Sequence, residues 1–112
     1  MRSMVFERLA LSSGTLSEVS QAVTMDGANS AQVDVVIFSL TGTTPQVAVQ
    51  LQESNDLENW RDKGSVTNIT LAGYTLLSAV TAIATAYVRV KMTLSGTIPV
   101  AVVSAGLNTS LL

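Results

Sequence analysis

The chain has 112 residues, enough for one domain built around a single two-layer core. Apolar residues make up 47% of it and charged residues only 12%, about half the usual share, so the chain collapses rather than staying disordered. Six basic against eight acidic residues leave no basic field for nucleic acid, and the absence of Cys and His removes disulfides, thiolate and imidazole nucleophiles and the usual zinc ligands.

Met1–Phe6 is expected as a short arm ahead of the fold, and no targeting signal is expected there, because Glu7 and Arg8 interrupt any leader-like apolar run. Weak strands follow over Val5–Leu11 and Leu16–Thr24, separated by Ser13-Gly14 and closed by the turn residues Asp26-Gly27. Val33–Leu40 begins as an alternation around Asp34 and then becomes apolar on both faces. After Thr41-Gly42-Thr43-Thr44-Pro45, a strand of period two places Val47, Val49 and Leu51 on one face and mostly Gln on the other. A charged hairpin over residues 53–63 precedes weaker strands at Val66–Leu71 and Tyr74–Val80.

Leu76–Ala86 is rich in Ala but has no cap and no charged pairs, so it is expected as strand running into loop. The uncharged run from Gly64 to Val88 is long enough to span a bilayer, yet Ser, Thr, Asn and Gly interrupt it throughout, and no membrane segment is expected. In Tyr87–Leu94 the residues Val88, Val90, Met92 and Leu94 point inward while Arg89, Lys91 and Thr93 point out. Ser95-Gly96-Thr97 marks a turn before Val100–Leu107, again apolar on both faces. These elements predict an all-β fold, an antiparallel β-sandwich of jelly-roll-like kind with about eight short strands. Residues 1–112 form one domain in this reading, with no internal repeat, linker or second domain.

The candidate chemistry is sparse. Asp56, Glu58 and Asp62 could offer oxygens to Ca²⁺, but their spacing is not that of an EF-hand, and Arg61 and Lys63 among them oppose a cation; a solvated hairpin is the simpler reading. Carboxylate pairs for glycoside hydrolysis need a cleft that so small a sandwich hardly supplies. Trp60 is expected to cover one end of the core. No catalytic residue, metal or cofactor is predicted.

Ser54-Asn55-Asp56-Leu57-Glu58-Asn59-Trp60 resembles the S-N-D-G-x-N-W turn of discoidin-like and galactose-binding-like sandwiches and of small bacteriophage structural proteins. Ala86-Tyr87-Val88-Arg89-Val90-Lys91 is similar to the A-R-Y-V-R-V-type strand that follows in the same families, and Leu57 departs from the pattern by replacing its Gly. In length, Val/Thr/Ala/Ser richness and lack of Cys and His, the chain looks most like small phage virion proteins, among them capsid decoration (cement) proteins. The resemblance implies a structural protein on the capsid surface, made in the host cytoplasm, whose partners are its own copies (homotrimer or homodimer) and the major capsid protein. It implies no enzymatic activity and no nucleic-acid or membrane partner. The alternative it leaves open is a carbohydrate-binding or adhesion module of a tail or fibre protein.

The apolar excess of Val33–Leu40 and Val100–Leu107 also points to subunit contacts. Met4, Val5, Phe6, Leu111 and Leu112 are the expected assembly contacts, on adaptable ends of the chain.

Overall fold

The computed structural model describes residues 2–112; Met1, the first residue of the expected arm, lies outside them. Seven antiparallel strands follow one another without an intervening helix: β1 (Arg2–Ser12), β2 (Ser17–Val19), β3 (Val23–Thr24), β4 (Ser30–Ser54), β5 (Arg61–Ile69), β6 (Gly73–Leu76) and β7 (Tyr87–Ser110). The strands are fewer and less even than the turn spacing suggested, because β4 and β7 are 25 and 24 residues long. A straight strand of that length would reach about 80 Å. The molecule's longest dimension is 42 Å, so both strands bend sharply.

The bend lies at the clusters read above as turns between separate strands. Gly42 (φ 122°) and Gly96 (φ 128°) take backbone conformations that a side chain disfavours, and the β4–β7 register shifts between Thr41 and Thr43 and again between Thr43 and Gln46. The strands are redirected there without losing their partner. On one side of the corner the order is β1, the end of β7, the start of β4, then β6; on the other it is β2 and β3, the start of β7, the end of β4, then β5. The result is one antiparallel sheet folded on itself, an all-β sandwich-like arrangement.

Alternation fills the space between the layers. Val33, Val35 and Ile37 come from one layer, Val47, Val49 and Leu51 from the other, and β7 adds Val88, Val90, Met92 and Leu94 before the corner and Val103 and Leu107 after it. All belong to a single buried cluster. The two-faced apolar segments resolve in the same way: in Val33–Leu40 the odd residues up to Ile37 are buried, while Phe38 is left half-exposed on the outer surface.

Two expectations are corrected. Arg2–Phe6 is not an arm: these residues pair with Ala105–Asn108, and Val5 and Phe6 lie in the core, because burying their side chains outweighs the freedom of a loose end. The chain also does contain an internal repeat. Thr41-Gly42-Thr43-Thr44-Pro45 recurs 54 positions later as Ser95-Gly96-Thr97-Ile98-Pro99. Thr43 pairs with Thr97, and Thr44 and Ile98 share the same left-handed φ of 48°. Around this pair the elements match under an approximate two-fold: β4 with β7, β1 with β5, and β2 with β6. Each long strand is flanked alike, and β1 and β5 bulge at equivalent rungs, between Phe6 and Leu9 and opposite the Val49–Leu51 step.

Candidate functional site

Glu53–Arg61 holds the densest polar structure in the molecule. Its hairpin turn closes on itself: the Ser54 hydroxyl accepts from the amides of Asp56 (3.2 Å) and Leu57 (3.1 Å), and the Asp56 carboxylate accepts from the amides of Glu58 (3.0 Å) and Asn59 (2.8 Å). The Asn59 side-chain amide donates to Asp56 (2.7 Å), and the Ser54 hydroxyl does so as well (3.0 Å). With Asn59 as the largest contributor, these donors hold the Asp56 carboxyl far below the usual carboxylate range. The turn is thus an Asx-type lock built by short polar side chains.

Leu57, the residue in place of the motif's glycine, adopts φ 64° with its side chain half-exposed. A non-glycine residue in this left-handed conformation costs roughly 1–2 kcal/mol. Leu57→Gly is therefore expected to raise stability by about 0.5–1 kcal/mol after the added unfolded-state entropy of glycine is subtracted. A shift of the urea midpoint to higher concentration measures it, and a lower midpoint would show that Leu57 packs usefully.

Trp60 does not cover the core as expected. It is half-buried, donates its indole N–H to the Leu57 carbonyl (3.2 Å), and carries the Arg89 guanidinium 4.2 Å from its ring centroid. Burial pushes the Arg89 pKa down from its ordinary value. Arg89 donates to Gln52 (2.8 Å), whose amide donates to Asp62 (3.0 Å), so the end of β4, β5 and the start of β7 are tied together. Beneath them the buried Glu53 carboxylate takes Arg61 on one oxygen (2.6 Å) and the Thr85 hydroxyl on the other (3.2 Å). Asn55 accepts from the Ala86 amide (3.0 Å) and fastens the turn to the loop before β7.

Glu53, Asn55, Asp56, Trp60, Arg61 and Thr85 are among the residues that line a cleft of about 320 Å³. Ser54, Asp56, Glu53 and Thr85 are bonded within it, whereas Arg61 is engaged through Nε alone and its side chain is largely exposed. Asp56, Glu58 and Asp62 do not converge, since Asp56 locks the turn and Asp62 faces Gln52; among the described residues no three acidic side chains are gathered as for a metal ion. What the arrangement does chemically is stiffen one end of the sandwich.

The expected assembly contacts divide. Val5 and Phe6 are core, whereas Met4, Leu111 and Leu112 are exposed, the last with its backbone amide bonded to Asn29 (2.9 Å). Part of the apolar excess of Val33–Leu40 and Val100–Leu107 falls on the outer surface of the layer that holds β1 and β6; sequence reasoning missed the share of β6 in it. There Val36 and Phe38 of β4 stand beside Tyr74 and Leu76 of β6, with Met4 and Val100 nearby. Its few charges are engaged in place: Arg2 reaches over Gly106 to Asp34 (3.1 Å), and the Arg8 guanidinium lies 4.5 Å from the Phe38 ring centroid. The loss of a polar face after Asp34 carried the signal for the β4 part of this face, but β6 completes it through a non-local pairing. Among the described residues no helix is long and apolar enough to cross a membrane.

No protein-family profile matches the chain, and no curated protein matches it. Among solved structures, the PBSX exported protein XepA is similar, with a TM-score of 0.74 and 11% sequence identity over 100% of this chain. The chain spans 37% of that protein's length. At this identity the likeness is one of fold: a small all-β, sandwich-like unit that also occurs within a larger protein.

Proposed function

We propose that the chain is a structural protein of a bacteriophage particle, and specifically a head decoration protein that assembles as a homotrimer or homodimer and clamps neighbouring major capsid subunits. The fold likeness to XepA of the phage PBSX supports the phage setting. The observation that carries the assembly role is the outer face around Phe38, Tyr74 and Leu76: these three large side chains are 48%, 62% and 57% exposed on one layer. A face of this kind loses water-exposed apolar area on association, and a standard contact buries roughly 800 Å² per partner. Linked weak contacts to several capsid subunits then give tight attachment without a deep site.

The test is molar mass by light scattering together with binding to shells that lack decoration. The wild-type chain is expected as a closed oligomer that binds shells. Phe38→Ser with Leu76→Ser should remain folded but monomeric and lose at least tenfold in shell affinity. Since Arg2–Phe6 is sheet, surface substitution tests the idea better than deletion of the N-terminus. A wild-type chain that stays monomeric at about 100 μM and ignores shells overturns the reading.

A further inference from the structure

The approximate two-fold is broken where Phe6 and Lys63 answer to each other, and a cleft lies beside Lys63. Phe6 of β1 pairs with Ala105, and Lys63 of β5 pairs with Leu51; Ala105 and Leu51 stand at the same 54-residue spacing as the corner residues. Lys63 thus occupies the position that Phe6 holds in the other half. Directly opposed residues share a face of the sheet, so Lys63 shares the inward face of the buried Leu51. Phe6 fills its end of the core with an aromatic ring. Beside Lys63 a cleft of about 520 Å³ remains open between the layers, with Val33, Val49, Leu51, Leu77 and Val80 among its lining residues and Ser and Thr hydroxyls around them.

The cleft's walls are built rather than loose. Opposite Gln50, β5 bulges through Gly64 (φ 78°), and the Gln50 amide nitrogen donates to the carbonyls of Leu51, Lys63 and Gly64 at 2.9–3.2 Å. A Cβ on Gly64 would meet the Val80 side chain at 3.0 Å, so the bulge and the segment after β6 approach closely at the cleft. That segment is anchored to β4 by backbone bonds from Leu77 to Val33 and between Val80 and Ala31. Among the described residues the Lys63 ammonium has no carboxylate within ion-pair distance.

We propose that this cleft binds a small anionic amphiphile, with its hydrocarbon part against the partly exposed Leu77 and Val80, above the buried Val33, Val49 and Leu51, and its anionic head on the Lys63 ammonium. Volume, apolar lining and a single unpaired cation are the features of a ligand pocket of this class. The competing role for Lys63 is as an inward charge on an edge strand, which discourages edge-to-edge pairing between copies.

8-Anilinonaphthalene-1-sulfonate serves as the probe, titrated by fluorescence and calorimetry against the intact chain. Binding is expected at one molecule per chain with a Kd of about 30 μM, from its size and ordinary ligand efficiency. Lys63→Gln should weaken binding at least tenfold by removing the cation. Lys63→Phe, which restores the ring found at the equivalent position, should abolish binding and raise the melting temperature. Equal affinity in all three chains overturns the proposal, as does no binding by the wild type at about 1 mM. It is also overturned if Lys63→Gln dimerises with probe affinity unchanged, which assigns Lys63 to edge protection, or if a wild-type dimer dissociates on Lys63→Phe, which makes a second copy the occupant. None of these readouts depends on binding to a viral shell.

Discussion

Gly42→Ala and Gly96→Ala are each expected to lower the unfolding free energy by about 3 kcal/mol, and by closely matched amounts. Two costs combine. At φ 122° and 128° the new side chain enters a backbone region that is essentially reserved for glycine. Its Cβ would also meet backbone that cannot move aside: the Ile98 carbonyl at 2.9 Å for Gly42, and the Thr43 and Thr44 carbonyls at 3.0 Å for Gly96. The two sites face each other across the corner with equivalent neighbours, which is why their penalties should match. Against a total stability of roughly 5–15 kcal/mol for such a domain, either change is severe. Urea denaturation with a common m-value measures both; a penalty below about 1 kcal/mol at either site, or a large mismatch between them, would show that the corner relaxes independently on its two sides.

Arg61→Met should cost about 2 kcal/mol, and adding Glu53→Gln should restore part of the loss. The Glu53 side chain is 3% exposed and its Arg61 partner 75% exposed. Removing one member of a fully buried pair costs about 3–5 kcal/mol because a charge is left without compensation; water around Arg61 screens the interaction and reduces the figure here. In the double variant no buried charge remains, and the neutral amide can still accept from Thr85. A double-mutant cycle isolates the coupling. Should the double variant be less stable than Arg61→Met alone, the carboxylate at position 53 would be contributing through Thr85 rather than through the ion pair.

Period-two patterning made the centre of the fold legible. Val47, Val49, Leu51 and the series from Val88 to Leu94 are buried where their alternation put them, because a strand with one wet face admits only one register. The corner was visible as turn residues but not as a corner. A glycine at positive φ can end a strand or bend it, and the outcome depends on whether the partner strand bends at the same rung. That partner is 54 residues away. The repeat was hidden for a related reason: outside the corner its two copies share a pattern of burial rather than residues, with Leu11 answering to Ile69 and Phe6 to Lys63.

The candidate site divides in the same way. The polar turn at Ser54–Trp60 was legible as a motif, since its lock is made by residues two or three apart. Its contacts with Arg89 and Thr85 were not, being set by strand pairing and by the loop before β7. The outer apolar face needed β6 to be placed beside β4, which no local pattern of Tyr74 and Leu76 indicates.

Sharing β4 and β7 between the layers also governs how the molecule can come apart. In a sandwich whose sheets are joined only by loops, one sheet can fray while the other persists. Here each layer borrows its two middle strands from the same pair of ribbons, so no seam separates them. Slow amide exchange should therefore be spread evenly along both long strands, with protection set by global unfolding, and the short edge segments β3 and β6 should exchange first.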